Sequence, residues 1–194
     1  KLRPIVFTLG LVLSKLALFM WLPTLLALFT GSEGFVEFLK SVLITHGAAL
    51  LCLHHGRKVE FHLGVREMFL LTTSVWVVAC IFGALPFFFI NHIDFTDAYF
   101  ETMSGVTTTG STVLSGLDGM AHSILLWRSI LQWLGGVGFI VMAVAVLPYL
   151  NVGGMKLFQT ESSDWSDKSA PRAKTVANNI VVVYLVLSML CFLA

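Results

Sequence analysis

The chain is 194 residues long, 57% hydrophobic and only 12% charged, with a mean hydropathy of +0.87. Soluble domains carry about 25% charged residues, so this composition excludes one and points to an integral membrane protein. A net charge of +1 with dispersed basic residues gives no basis for a nucleic-acid partner.

The first apolar stretch, residues 5–29, follows Lys1 and Arg3 and is too long for the apolar core of a signal peptide. No small-residue cleavage site follows it, so it is expected to remain as a span. A second stretch, 35–53, comes after the turn Thr30-Gly-Ser-Glu-Gly34, which is too short for a re-entrant segment and makes a plain hairpin. Residues 68–89, 124–150 and 175–194 complete five predicted spans, each near the 20 residues needed to cross a bilayer or longer. Pro23, Pro86 and Pro148 fall toward span ends.

A cytoplasmic N-terminus puts Lys1, Arg3, Arg57, Lys58, Arg66, Lys156, Lys168, Arg172 and Lys174 inside, nine of the twelve basic residues. Lys15, Lys40 and Arg128 lie within spans. With that orientation residues 30–34 and 90–123 face outside. The longer of these segments carries Asp94, Asp97, Glu101 and Asp118, and no Lys or Arg occurs between Asn91 and Trp127. Such acids attract cations toward a pore entrance, and equally serve as ordinary helix caps and solvated loop residues. Asp94, Thr96 and Asp97 each suit the N-cap of the helix that follows.

Between spans three and four, residues 97–106 make a helix of only about 15 Å, roughly half a hydrocarbon core. It enters a membrane without crossing. Non-helical backbone at membrane depth is tolerated only where protein buries it or where it lines a water-filled cavity, and a pore is the simpler choice for Thr107, Thr108, Thr109 and Gly110. β-Branching favours extended backbone at the three threonines, whose carbonyls then replace the hydration shell of a cation. Gly110 supplies a position free to adopt positive φ, and the short helix points its negative dipole end at the ion.

The fold class expected is therefore all-α integral membrane: a transmembrane hairpin with its cytoplasmic loop (1–67), one span, half-helix, filter loop and span (68–150), then a cytoplasmic loop and the first span of a second unit (151–194). A ring of carbonyls needs several such loops, usually four. One is present in these residues.

Several motifs in order carry a resemblance: Asp97-Ala-Tyr-Phe-Glu101, Met103-Ser-Gly-Val-Thr-Thr-Thr-Gly-Ser-Thr112, Trp127-Arg-Ser-Ile-Leu-Gln-Trp-Leu-Gly-Gly-Val-Gly138, Ala145-Val-Leu-Pro148, Val152-Gly-Gly-Met155 and Pro171-Arg172. Together they resemble the first pore unit of the Trk-type potassium uptake subunits (TrkH/TrkG) of the Trk/Ktr/HKT superfamily, over most of residues 93–174. The likeness weakens at 162–170. Members of that family are single chains with four such units arranged pseudo-fourfold around one pore.

The resemblance implies that Thr107, Thr108, Thr109 and Gly110 form one quarter of a selectivity filter for K+, the transported ion, with Glu101, Arg128 and Ser111 supporting it. It further implies an N-terminal portion of a longer transporter in the inner (plasma) membrane, with no covalently bound cofactor and no enzymatic chemistry. The intact protein is then a homodimer in the lipid bilayer. A cytoplasmic RCK-type nucleotide-binding regulatory protein docks on inner loops such as residues 151–174. A sodium-coupled or sodium-permeable relative and a non-conducting accessory protein are the alternatives.

Among single residues, Glu101 and Arg128 are expected to pair, since a charge within a span is rarely left alone. Snorkelling of Arg128 to the interface is the competing account. Gly135, Gly136 and Gly138 either let the backbone pass close to pore elements or are ordinary small residues at helix contacts. Lys15, without an acidic neighbour in sequence, suits snorkelling better than an ion path. His54, His55 and His62 match no zinc spacing, and Cys52, Cys80 and Cys191 are packing residues within apolar runs. The stretch from Gly105 to Thr112 lacks the lysine of a phosphate-binding loop. Gly116-Leu-Asp-Gly119 lacks the order expected of an intramembrane aspartyl protease.

Overall fold

The computed structural model describes residues 2–31, 34–56, 65–146 and 169–193; for residues 65, 141–146, 169–174, 176 and 177 it describes the backbone alone. Outside the described residues lie the basic loop with Arg57, Lys58 and His62, the end of the fourth predicted span with Pro148, and most of the inner loop at 151–168.

All regular structure among the described residues is helical: α1 (Arg3–Thr30), α2 (Phe35–His55), α3 (Val65–Gly83), α4 (Leu85–Asn91), α5 (Phe95–Val106), a 3₁₀ turn (Leu117–Gly119), α6 (His122–Val146) and α7 (Ser169–Leu193). Among the described residues four stretches are long and apolar enough to cross a membrane: Arg3–Thr30, Phe35–His55, Arg66–Asn91 and His122–Ile140. The fifth predicted span lies in α7, whose apolar part is Asn178–Leu193. Contacts divide the chain into two compact units, Lys1–Gly135 and Gly136–Ala194.

In the first unit α1 and α2 form the predicted hairpin. Leu13, Ala17, Met20 and Ala27 of α1 and Phe38, Val42, Thr45 and Ala49 of α2 are buried, at helical spacing along one stripe of each. Thr45 Oγ1 donates to the Ser41 carbonyl at 2.7 Å, and Thr24 does the same to Met20 at 2.7 Å, so neither buried hydroxyl is left unsatisfied. Lys15 is exposed on α1, away from this seam.

The third predicted span is broken in two at Ala84. Pro86 has no N–H to donate to the carbonyl four residues back and its ring crowds that turn, which ends α3 at Gly83 and restarts the chain as α4. The break exposes the Gly83 carbonyl, and the buried indole of Trp127 donates to it at 3.0 Å. Trp127, Phe87, Ala84, Ala98, Ile124 and Leu131 join one core between α3, α4, α5 and α6. In the second unit, a side chain at Gly136 would meet the Tyr184 hydroxyl of α7 at 2.8 Å.

Candidate functional site

Helix α5 has twelve residues, about 18 Å of helix, and starts two residues before the predicted 97. Asp94 occupies the N-cap position, although its side chain makes no cap hydrogen bond, and Asp97 lies in the first turn, where a carboxylate complements the helix dipole.

The other end of α5 closes in a defined way. Thr108 N–H donates to Gly105 O at 2.9 Å and Thr109 N–H to Ser104 O at 3.0 Å, the paired bonds of a Schellman motif, while Thr107 N–H still follows the helical pattern to Met103 O at 2.9 Å. The motif places its left-handed position on Thr108, at φ 59°, where glycine is usual. This corrects the expectation of three extended threonines: Thr107, at φ −80° and ψ 0°, and Thr108 form the helix stop. Capping the last carbonyls of α5 outweighs the β-branched preference. Gly110, at φ 77°, adopts the positive φ expected of it, and its N–H approaches Ser104 O at 3.4 Å.

After Gly110 the chain doubles back along α5, held at two points. Ser104 Oγ donates to the Ser111 carbonyl at 2.6 Å. Three residues earlier on the helix, the Glu101 carboxylate, with a side chain that is 0% exposed, accepts from Thr112 Oγ1 at 3.0 and 2.9 Å and from Val113 N–H at 3.1 Å. Arg128 Nε, from α6, donates to the same carboxylate at 2.6 Å. The pair expected between Glu101 and Arg128 is thus present. A carboxylate that would be costly to bury alone holds both the returning strand of the loop and the next helix.

Of the predicted residues, then, Glu101 and Arg128 meet directly, while Ser111 engages through its carbonyl and its hydroxyl makes no hydrogen bond among the described residues. Ser104, Thr112 and Trp127 were not singled out from sequence. Their signal was weak: Ser104 and Glu101 share a helix face at a spacing of three, but the partners at 111–113 become neighbours only when the loop reverses.

The glycines of α6 differ from one another. A β-carbon at Gly135 would run into the Val106 carbonyl at the tip of α5, whereas one at Gly138 meets nothing within 4 Å among the described residues. Gly135 therefore fits the reading of close backbone approach.

Thr107, Thr108, Thr109 and Gly110 are all exposed, and among the described residues their four carbonyls accept no hydrogen bond. These four carbonyls follow directly on the C-terminal end of α5, where the helix dipole is negative. The described residues hold no cluster of three or more His, Cys, Asp or Glu side chains fit for a metal, and His54 and His55 are merely exposed at the end of α2.

Residues 34–194 match the TrkH family, described as cation transport proteins. Over 192 residues the chain is 40% identical to the Trk system potassium uptake protein TrkI of Halomonas elongata, covering 98% of this chain and 39% of that protein. It is 38% identical over 196 residues to the Trk system potassium uptake protein TrkH of Escherichia coli K12, covering 99% of this chain and 41% of that protein. The crystal structure of the potassium transporter TrkH from Vibrio parahaemolyticus superposes with a TM-score of 0.83 at 34% identity, over 97% of this chain and 38% of that one. The chain thus spans about two fifths of the length of these relatives. With its helices long enough to cross a bilayer and this match over more than three quarters of its length, the chain is an all-α membrane protein and belongs to the TrkH family of cation transport proteins, which are transporters and not enzymes.

Proposed function

We propose that this chain provides one quarter of a potassium uptake pore, in which the carbonyls of Thr107, Thr108, Thr109 and Gly110 replace water around a passing K+ driven by the membrane potential. The observation that carries the reading is that these four carbonyls are free and exposed on a loop fixed on both sides, by the Schellman stop of α5 and by Glu101. Glu101, Arg128 and Ser104 support the loop, Ser104 by way of the Ser111 carbonyl. Residues 68–150 act as one pore unit, residues 1–67 as a preceding hairpin, and 151–194 as the inner loop and first span of the next unit. The names of the relatives, potassium uptake proteins of the Trk system, agree with the ion chosen.

In this proposal the N-terminus faces the cytoplasm in the inner (plasma) membrane, so that α5 descends from the outer side. The whole protein works as a homodimer under an RCK-type nucleotide-binding regulator at its inner loops.

Gly110→Ser is the test. A side chain at φ 77° strains the backbone at this position, so the K+/Na+ permeability ratio, taken from reversal potentials of the native protein and the variant, is expected to fall at least about tenfold, or about 1.4 kcal/mol in relative ion stabilisation. An unchanged ratio in a well-folded variant removes the filter assignment.

A further inference from the structure

A second polar site lies where two spans end, away from the filter loop. The first turns of α2 carry Glu37 and Lys40, the last turns of α4 carry Phe88 and Phe89, and His92 and Asp94 follow in the link to α5. Together with Ile93 these six line an open surface cavity of about 390 Å³.

Its chemistry is mixed. Two groups suit an anion, Lys40 and His92, and two suit a cation, Glu37 and Asp94. Among the described residues none of the four has a side-chain hydrogen bond or ion pair, even though Glu37 and Lys40 are one helical turn apart. The two phenylalanines form an apolar wall, edge to face with ring centroids 5.3 Å apart, and Phe88 is 38% exposed.

Position narrows the occupant. All six residues stand at one end of the candidate spans Phe35–His55 and Arg66–Asn91 or just past it, which is the headgroup depth of a bilayer. A simple anion there meets Asp94 and Glu37, and a simple cation meets Lys40. A ligand with a phosphate and an ammonium a few bonds apart satisfies both pairs, and an attached glycerol and acyl chain continues along Phe88 and Phe89.

We infer that this cavity binds a zwitterionic phospholipid headgroup, phosphate on Lys40 and His92, ammonium on Asp94 and Glu37. The lipid joins the start of α2, the end of α4 and the link into α5, and so braces the half-helix at its N-terminal end.

The experiment is lipid binding to the native detergent-purified protein, read by native mass spectrometry with phosphatidylethanolamine, phosphatidylglycerol and inorganic phosphate as separate probes. Phosphatidylethanolamine is expected to bind at least tenfold more tightly than phosphatidylglycerol, and Lys40→Ala and Asp94→Ala each to weaken it at least tenfold. Lys40→Arg and Asp94→Glu keep the charges and are expected to retain the lipid, which separates loss of the site from loss of the fold. Equal binding of the two lipids, displacement by millimolar inorganic phosphate, or wild-type lipid retention in both alanine variants would overturn the inference.

Discussion

The α-carbon of Gly135 lies so close to the carbonyl of Val106 that a methyl group on it would overlap that oxygen. Helix α6 thereby buttresses the last residue of α5, immediately before the first threonine of the loop. Position and conformation of the loop follow from this backbone contact as well as from side chains.

Gly135→Ala is accordingly expected to damage transport. Replacing a helical glycine with alanine gains about 1 kcal/mol of helix propensity, but overpacking against backbone that cannot move aside costs about 1–3 kcal/mol and pushes Val106 toward the loop. Gly138→Ala, where nothing among the described residues lies within 4 Å, serves as the control. Rubidium uptake by cells dependent on this protein is expected to fall for the first variant and hold for the second. Equal uptake in both would show that the contact does not position the loop.

The buried ion pair sets up a sharper comparison. Arg128→Met leaves the Glu101 carboxylate without its cation at 0% side-chain exposure, and removal of one partner of a buried pair costs about 3–5 kcal/mol. Adding Glu101→Gln restores charge balance while keeping an acceptor for Thr112 and Val113. The double variant is expected to have a higher thermal midpoint than Arg128→Met alone. A double variant that is no better, or worse, would mean that Arg128 acts through packing rather than through charge.

Thr108 holds a left-handed conformation with an exposed side chain that makes no hydrogen bond among the described residues. For a residue with a β-carbon this costs about 1–2 kcal/mol, and glycine avoids it. Thr108→Gly is therefore expected to raise the thermal unfolding midpoint. A lowered midpoint would show that the turn is held by its neighbours at no strain, or that the unfolded chain gains more freedom from glycine than the turn loses in strain.

The all-α membrane class, the hairpin, the short helix before the threonines and the pairing of Glu101 with Arg128 were all legible in the sequence. Each rests on a local or one-dimensional signal: apolar runs of spanning length, a polar segment too short to cross, and a charge in a span that demands an opposite charge. The sequence also carried the family, through the order of its motifs. Only the tertiary structure decided how the loop closes. Helix-end carbonyls needed partners, and the N–H groups of Thr108 and Thr109 supplied them at the expense of the extended conformation that β-branching favours. The break at Ala84 was half visible, since Pro86 marks it, but that Trp127 satisfies the freed Gly83 carbonyl depends on residues 44 positions apart. The same holds for Ser104 with Ser111, Glu101 with Thr112, and Gly135 with Val106. Propensity and patterning act along the chain, whereas hydrogen-bond satisfaction and close backbone packing are conditions on three-dimensional neighbours, which the sequence does not state until the chain has folded.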